Sequence, residues 1–320
     1  MGIRNLNTYL RSICSKESIR RQHLKMYENK KIVIDISIYL YKFVSEEALL
    51  ENVYLMISIF KKYNIIPLFV FDGKPPLQKS ATIKQRRLER RQAYEMYNEL
   101  INKNIDNKEM RAELDILKRK MAYLREEDIK NVQLLIKSYG VNYYISSGEA
   151  DSVCSYLVSS GKADMCLSDD TDMFMYNCPK VLRNLSLINH TVIECNTAEI
   201  LNELSMTVDE FQKVMVLNGT DYNITNNVKI NEIVNLFYKY KNEKIVNDSF
   251  YDWLSSQKQY NIDIHELEEI NNIFKLDIDE YNNITKNIII ENGTLDTNML
   301  YTVLQKEGFI YNNVDNRLPW

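Results

Sequence analysis

Acidic residues follow four separate apolar segments of this chain. Each segment is rich in β-branched or aromatic residues, and each leads into aspartate or glutamate within a few positions. The acids concerned are Asp35, Asp72, Glu149, Asp151, Asp170 and Asp172. The carboxyl ends of parallel strands meet at one edge of an open α/β sheet, which is where ligands of such folds bind. Hard divalent ions such as Mg²⁺ prefer oxygen ligands, so the pattern predicts a metal site at this edge.

The densest of these acidic stretches is LSDDTD, residues 167–172, with three aspartates in four positions. Neighbouring carboxylates repel one another unless they share a cation. An aspartate after a strand also serves as a helix N-cap or turn residue, and this alternative holds for each acid taken singly. Four strand ends with the same pattern favour the metal site. Two ions held about 3.5–4 Å apart clamp the attacking and leaving oxygens in phosphodiester displacement.

A cationic run, KSATIKQRRLERR, occupies residues 79–91. Its positive side chains are Lys79, Lys84, Arg86, Arg87, Arg90 and Arg91, against one glutamate. The run predicts either a solvated helix face or a site for nucleic-acid phosphates. Among the aromatic residues just after Asp35, Tyr39 is expected in the core, whereas Tyr41 could offer a stacking face to a base. The isolated His23, His190 and His265 are interpreted as structural.

The elements that position these residues alternate between strand and helix. We expect a strand at the start of the stretch 30–43, further strands at 64–73, 141–147 and 163–168, and helices at 49–63 and 149–161. Such alternation predicts an α/β fold with a mainly parallel sheet flanked by helices. Residues 78–135 interrupt it with helical patterns, including an apolar helix face at 108–125, and the chain beyond about residue 200 is expected to be mostly helical.

Composition limits the classes of protein to which this chain can belong. Its 320 residues are 45% hydrophobic, enough for a substantial core, and the net charge of −4 confines any nucleic-acid site to a local patch. Five cysteines without CxxC spacing argue against a disulfide framework and a thiolate zinc site. With neither an 18-residue apolar run nor a cationic leader, we expect an intracellular protein that is not secreted and has no membrane partner.

Six short motifs together resemble the flap endonuclease family, the structure-specific 5′ nucleases related to the xeroderma pigmentosum group G nuclease. They are MGIRNL, VIDISIYLY, VFDGKPP, GEADSVCSYL, LSDDTDMFMY and LNGTDY, in the order and spacing of the family over roughly residues 1–225. The resemblance implies a PIN-like fold, two Mg²⁺ ions for which Mn²⁺ can substitute, and a product with a 5′ phosphate. It also adds Asp221, from the last motif, to the six metal-binding acids.

The resemblance further implies roles for the cationic residues. Residues 78–135 correspond to the helical arch of the family, through or under which a single-stranded 5′ flap passes. Lys79 and Arg86 then match its catalytic, phosphate-contacting bases, and Tyr41 matches the aromatic residue that stacks beside the cut. DNA contacts are also expected from Gly2, Lys84, Arg87, Arg90, Arg91 and Lys229.

Two departures from the family pattern shape the expected domain organisation. The glycine-rich helix–two-turn–helix, which binds duplex backbone with a potassium ion, is degenerate at about 205–240. The C-terminal NVDNRLPW also lacks the sliding-clamp motif, so no clamp contact is expected. We therefore divide the chain into a nuclease core, residues 1–235, and a helical C-terminal extension, residues 236–320.

The resemblance predicts a monomeric flap endonuclease that cuts branched DNA bearing a 5′ single-stranded flap, in replication, repair or recombination. Its site of action would be the nucleus or a cytoplasmic replication site. A 5′–3′ exonuclease or a junction-resolving relative is the nearest alternative. A catalytically inactive DNA-binding scaffold is the alternative of another class, although all seven acidic positions carry Asp or Glu. A ribonuclease of the wider PIN group would share four acids but not FDGKPP and the arch.

Overall fold

The computed structural model describes residues 2–102, 107–223, 229–243, 249–257, 263–306 and 308. Seven strands occur in this part of the chain: β1 (Ile19–His23), β2 (Lys31–Asp35), β3 (Ile66–Phe71), β4 (Asn142–Ile145), β5 (Met165–Leu167), β6 (Lys180–Ser186) and β7 (Thr191–Asn196). The first eight helices are α1 (Leu6–Ile13), α2 (Ser37–Ser45), α3 (Leu49–Lys62), α4 (Ser80–Asn102), α5 (Lys108–Met121), α6 (Glu126–Ser138), α7 (Ala150–Ser159) and α8 (Asp172–Met175). The remaining helices are α9 (Thr197–Glu203), α10 (Val208–Asn218), α11 (Ile230–Asn242), α12 (Phe250–Ser256), α13 (Ile264–Ile273), α14 (Ile278–Ile284) and α15 (Thr297–Lys306).

The described residues form two compact units that interleave along the chain. Unit 1 comprises Met1–Gln22, Asp151–Leu185 and Val192–Asn287, and unit 2 comprises His23–Ala150, Ser186–Thr191 and Ile288–Trp320. Neither unit begins or ends at residue 235. The division into a core and a C-terminal extension at that residue therefore stays a prediction.

Unit 2 is built on the three parallel strands β2, β3 and β4. In the register of β2 on β3, Asp35 lies opposite Val70, and Phe71 of β3 lies opposite Ile145 of β4. The residues Ile32, Val33 and Ile34 are fully buried, as expected for a strand covered on both faces. Helices α3 and α6 pack on each other, α3 also packs on β3, and α6 also packs on β4. The predicted α/β fold with a mainly parallel sheet is confirmed here.

Unit 1 contains β5 and most of β6, which pair in parallel with Leu167 opposite Leu182. Strands β7 and β1 continue from β6, in the order β1-β7-β6-β5. Around α10 pack the helices α8, α11, α12 and α13, an arrangement that confirms the expectation of a mostly helical chain beyond residue 200. Strands β1, β6 and β7 were not predicted from the sequence.

Helices α4 and α5 carry very little core. Among their described residues, Ala93 is buried in α4 and Leu117 is buried in α5. The two helices pack mainly on each other. Helix α6 differs, because Val132, Leu135 and Ile136 are completely buried. Residues 126–135, at the end of the expected arch, thus belong to a helix that packs on α3 and β4.

The C-terminal residues contribute to both units. Helices α12, α13 and α14 pack within unit 1, whereas the segment that begins at residue 288 joins unit 2. There the Gly293 N–H donates to the Gly140 carbonyl at 2.6 Å, the Asp296 N–H donates to the Ser138 carbonyl at 2.7 Å, and α15 packs on α6. Residues 313–320, which would hold a clamp motif, lie outside the described residues, as does the 224–228 part of the degenerate helix–two-turn–helix.

Candidate active site

In unit 2, two of the predicted acids lie at the carboxyl ends of neighbouring strands. Asp35 is the last residue of β2 and is 5% exposed, and Asp72 comes directly after β3. The parallel register places both ends at one edge of the strands, as the sequence predicted. Asp72 Oδ1 also accepts the backbone N–H of Ala150, the first residue of α7, at 2.8 Å. This carboxylate therefore performs the helix-capping role that was the alternative for a single acid.

Glu149 forms an ion pair with Lys79 in the same unit. The Lys79 ammonium lies 2.6 Å from Glu149 Oε1, and Lys79 as a whole is 8% exposed. Lysines are almost never so deeply buried unless they are paired, and a charge-assisted hydrogen bond of this length is among the stronger ones in proteins. The first cation of the run at 79–91 is thus fixed next to a predicted metal ligand.

In unit 1, the loop 168–172 carries Asp170 and Asp172 between β5 and α8. The loop begins with the Ser168 N–H donating to the Leu182 carbonyl of β6 at 3.0 Å. Further along, the Asp170 N–H donates to Ser168 Oγ at 3.1 Å, and the Asp172 N–H donates to Asp170 Oδ1 at 3.0 Å. Asp172 is completely buried. The loop is therefore a compact turn that holds one carboxylate inside the protein and another partly exposed.

Gly2 lies directly against this acidic loop. A Cβ atom at this position would fall 2.2 Å from Asp170 Oδ1, 2.5 Å from Thr171 Oγ1 and 2.7 Å from Asp172 Oδ1. The backbone of Gly2 has φ +77°, a left-handed conformation that favours glycine. The neighbouring Ile3 N–H donates to Thr171 Oγ1 at 2.6 Å. Oxygens of Asp170 and Asp172 thus face one small volume that a side chain at residue 2 would fill.

The other two predicted acids of unit 1 are Asp151 and Asp221. Asp151 is 7% exposed in the first turn of α7, and its Oδ1 accepts the Ser152 N–H at 2.7 Å. Asp221 is half-buried in the turn between Thr220 and Asn223, whose side-chain Oδ1 accepts the Thr220 N–H at 2.9 Å. Only the family resemblance pointed to Asp221, because no strand precedes it.

Across the described residues, no three His, Cys, Asp or Glu side chains are arranged so that they could hold a metal ion. Like-charged carboxylates repel, and those of Asp72, Asp151 and Asp170 accept nearby backbone N–H groups. The donor set nevertheless fits a hard divalent ion, because it consists of carboxylate oxygens, two of which converge beside Gly2. The seven acids as metal ligands remain a prediction.

The cationic residues of α4 are mostly in solvent. Lys84, Arg86, Arg87 and Arg91 are exposed, whereas Arg90 is half-buried, with its guanidinium carbon 4.9 Å from the centre of the Tyr123 ring. Elsewhere, Tyr41 is 47% exposed and Lys229 is exposed at the start of α11, while Tyr39 is 1% exposed, which confirms its predicted place in the core. Exposure of this kind is compatible with contact to DNA, and those contacts remain predictions.

Two family models match the segments that carry these acids. Residues 1–93 match the XPG N-terminal domain, and residues 140–221 match the XPG I-region, together more than half of the chain. The chain belongs to the XPG-type flap endonuclease family. The first segment includes Asp35, Asp72 and the start of α4, and the second ends at Asp221. Membership of the family is thus established by the same stretches in which the six motifs were found.

Curated relatives of the chain are flap endonucleases of this family. The protein named flap endonuclease 1 of Methanococcus aeolicus is 28% identical over 277 residues, which cover 81% of this chain and 79% of the relative. The flap endonuclease 1 of Glossina morsitans morsitans is 29% identical over 243 residues, which cover 69% of this chain and 61% of the relative. The matched region thus leaves more than a third of the insect protein without a counterpart.

Solved structures of family members share the fold. The catalytic core of Rad2 in complex with a DNA substrate has a TM-score of 0.67 at 20% identity, covering 96% of this chain and 94% of the other. Flap endonuclease-1 from Methanococcus jannaschii has a TM-score of 0.55 at 20% identity, covering 92% and 99%. The Holliday junction-resolving enzyme GEN1, solved with product DNA and Mg²⁺, has a TM-score of 0.61 at 15% identity, covering 89% and 70%.

Proposed function

We propose that this XPG-type protein is a structure-specific 5′ nuclease that hydrolyses DNA phosphodiester bonds where a single-stranded 5′ flap meets duplex. The observation that carries the proposal is the placement of predicted acids at strand ends in both units, with Asp35 and Asp72 on neighbouring strands and Asp170 and Asp172 converging on Gly2. Family membership and the curated relatives support the same activity.

Two Mg²⁺ ions would be held by the seven acids: Asp35, Asp72, Glu149, Asp151, Asp170, Asp172 and Asp221. Ions bound there would supply an activated water and would neutralise charge on the transferring phosphate. The chain itself contributes the fixed carboxylates, among which Asp35, Asp151 and Asp172 are nearly or wholly buried. Burial keeps these side chains from rotating, so that their ligand oxygens need little reorganisation during the reaction.

Lys79 and Arg86 would add positive charge beside the scissile phosphate. Lys79 is held beside Glu149 by their ion pair, whereas Arg86 is exposed on α4, where it can meet a DNA strand that passes along the helix. The other exposed cations of α4 would bind flap phosphates without reading base sequence. Together they would supply a local patch of positive charge in a chain whose net charge is −4.

The proposal is tested with a 5′-labelled double-flap duplex, incubated with the purified protein in Mg²⁺ or in EDTA. We expect release of one labelled oligonucleotide of flap length in Mg²⁺, none in EDTA, and none from Asp170→Asn. Release of labelled mononucleotides would replace the proposal by a 5′–3′ exonuclease, and preferential cutting of a four-way junction would replace it by a junction-resolving enzyme. DNA binding without any cutting would identify a scaffold.

We predict that Lys79→Gln slows single-turnover flap cleavage by roughly 10–100-fold while the Kd for flap DNA changes less than about threefold. The glutamine preserves much of the size of the lysine but removes a charge that is buried at 2.6 Å from Glu149. The matched control is Lys74→Gln, because Lys74 is exposed in the same connection after β3. Equal losses in the two variants would contradict a specific catalytic role for Lys79.

Among the described residues, no helix is long and apolar enough to span a membrane. All five cysteines are free thiols. Burial raises the pKa of Cys178 well above its usual value, and a raised pKa disfavours the reactive thiolate. The free thiols are compatible with the proposed work on DNA in a reducing compartment.

A further inference from the structure

Arg183, on β6, is a buried cation beneath the acidic loop 168–172. The residue is 5% exposed, and its Nη2 donates to the backbone carbonyl of Asp169. Its guanidinium carbon also lies 5.7 Å from the centre of the Phe174 ring, in the helix that follows the loop. One side chain therefore contacts the residues on both sides of Asp170 and Asp172.

The burial of this arginine is costly by itself. Desolvating a guanidinium is unfavourable, and its Nε has no hydrogen-bond partner among the residues that the structure describes. The carboxylate of Asp169 accepts the backbone N–H of Asn184 at 2.6 Å. The backbone of Asn184 is in the left-handed conformation, with φ +52°, at the point where β6 contacts the loop. A charge and a strained residue are thus both placed at the same junction.

The loop is held from two directions. On one side, β6 supplies the Leu182 carbonyl, the Arg183 guanidinium and the Asn184 N–H. On the other side, the Ile3 N–H donates to Thr171 Oγ1, and Gly2 packs against the carboxylates. Arg183 brings a positively charged side chain to these contacts, and it meets the loop where three aspartates repel one another.

We propose that Arg183 is a positioning residue for the nuclease reaction. It fixes the Asp169 carbonyl and offsets the mutual repulsion of the loop carboxylates, so that Asp170 and Asp172 are already oriented before a divalent ion binds. The inference rests on the proposed function for its catalytic consequence, but the ordering of the loop is a property of the metal-free protein. A ligand set ordered in advance binds its ion with a smaller entropic cost.

The test compares Arg183→Met, which keeps an unbranched apolar stem but removes the charge and the donors, with Arg183→Lys, which keeps the charge. The control is Arg20→Met, because Arg20 also pairs with a strand residue of unit 1, Glu194, but is exposed. Three quantities are measured: amide hydrogen exchange of residues 166–174 without metal, calorimetric binding of Mg²⁺ alone, and the Mg²⁺ concentration that gives half-maximal flap cleavage.

For Arg183→Met we expect amide exchange at least about tenfold faster in the loop and unchanged in α10. Mg²⁺ should bind roughly 10–100-fold more weakly, and the Mg²⁺ concentration that gives half-maximal cleavage should rise by the same factor. In all three quantities, Arg183→Lys should fall between Arg183→Met and the unmodified protein. Arg20→Met should match the unmodified protein. Exchange that rises uniformly across unit 1, with Mg²⁺ binding unchanged, would overturn the proposal. If Arg183→Met does not fold, an Arg183→Lys variant with unmodified loop exchange and Mg²⁺ affinity would overturn it equally.

The two proposals fail in different ways. If the unmodified protein cuts no flap DNA, the proposed function is lost, but loop exchange and Mg²⁺ calorimetry still decide the role of Arg183. If flap cleavage is present and its half-saturating Mg²⁺ concentration is identical in Arg183→Met, the positioning role is lost while the nuclease function stands.

Discussion

Replacing Asp172 by asparagine is expected to lower the rate of flap cleavage on the order of a thousandfold, the scale at which one preorganised electrostatic group acts in an enzyme site. Asp172 is completely buried at the start of α8, and one of its oxygens faces the volume beside Gly2 that Asp170 also faces. Asparagine has nearly the same shape, so the packing is retained while one negative charge is removed. The loss should therefore be one of metal binding and chemistry, measured in single turnovers on the labelled double-flap duplex.

The stability of the same variant separates this effect from misfolding. In EDTA, the unmodified protein must hold a buried carboxylate close to another acid, which opposes folding. We expect Asp172→Asn to unfold in urea at an equal or higher midpoint. The control is Asp164→Asn, because Asp164 precedes β5 whereas Asp172 follows it, and this control should cleave at close to the unmodified rate. A lower midpoint together with lost cleavage would indicate damage to the fold.

Gly2→Ala is expected to lower the cleavage rate by roughly 100-fold, although it adds a single methyl group. The new Cβ would fall 2.2 Å from Asp170 Oδ1 and 2.7 Å from Asp172 Oδ1, so either the acids or the backbone must move. A displacement of about 1 Å in reacting groups costs rates of this size. The measurement is again single-turnover cleavage, combined with the Mg²⁺ concentration at half-maximal rate, which should rise.

Gly161→Ala is the matched control for this prediction. Gly161 has φ +75°, nearly the same φ as Gly2, but apart from Gly161 and its two chain neighbours no described residue has an atom within 4 Å of the point that a Cβ there would occupy. Gly161→Ala should lose about 1 kcal/mol of unfolding free energy, because alanine disfavours positive φ. Gly2→Ala should lose at least as much, because its Cβ also meets atoms of the acidic loop. Only Gly2→Ala should lose cleavage. Comparable cleavage by the two variants would show that residue 2 does not bear on the acidic loop.

The sequence predicted the elements whose signals are local and strong. Strands β2 and β3 were recognisable because their apolar runs are buried on both faces, and the acids that follow them lie where parallel register requires. Strands β6 and β7 were missed because exposed or half-buried residues, among them Asn184 and Glu194, interrupt their apolar pattern. An apolar face was predicted at 108–125, yet Leu117 is the residue of α5 described as buried.

Contacts between distant segments had no such local signal. The burial of Arg183 cannot be read from the stretch KVLRNLS, because a charged residue in a strand usually faces solvent. Nor does periodicity reveal that residues 288–306 return to unit 2, where Gly293 meets Gly140. Asp221 was assigned from the family motif alone. Sequence patterns thus predicted which strand ends most of the acids follow, whereas the burial of Arg183 beneath the acidic loop became visible only in three dimensions.

The bond between Ile3 and Thr171 also has a consequence for the synthesis of the protein. It joins residues 168 positions apart, so more than half of the chain must leave the ribosome before this contact can form. At about 5–20 residues per second, residues 2 and 3 wait on the order of 10–30 s for their partner. Such long loops close slowly during folding. A nascent or prematurely terminated chain that ends before residue 168 therefore lacks the acidic loop altogether. We expect nuclease activity only from chains in which the early and middle segments have met.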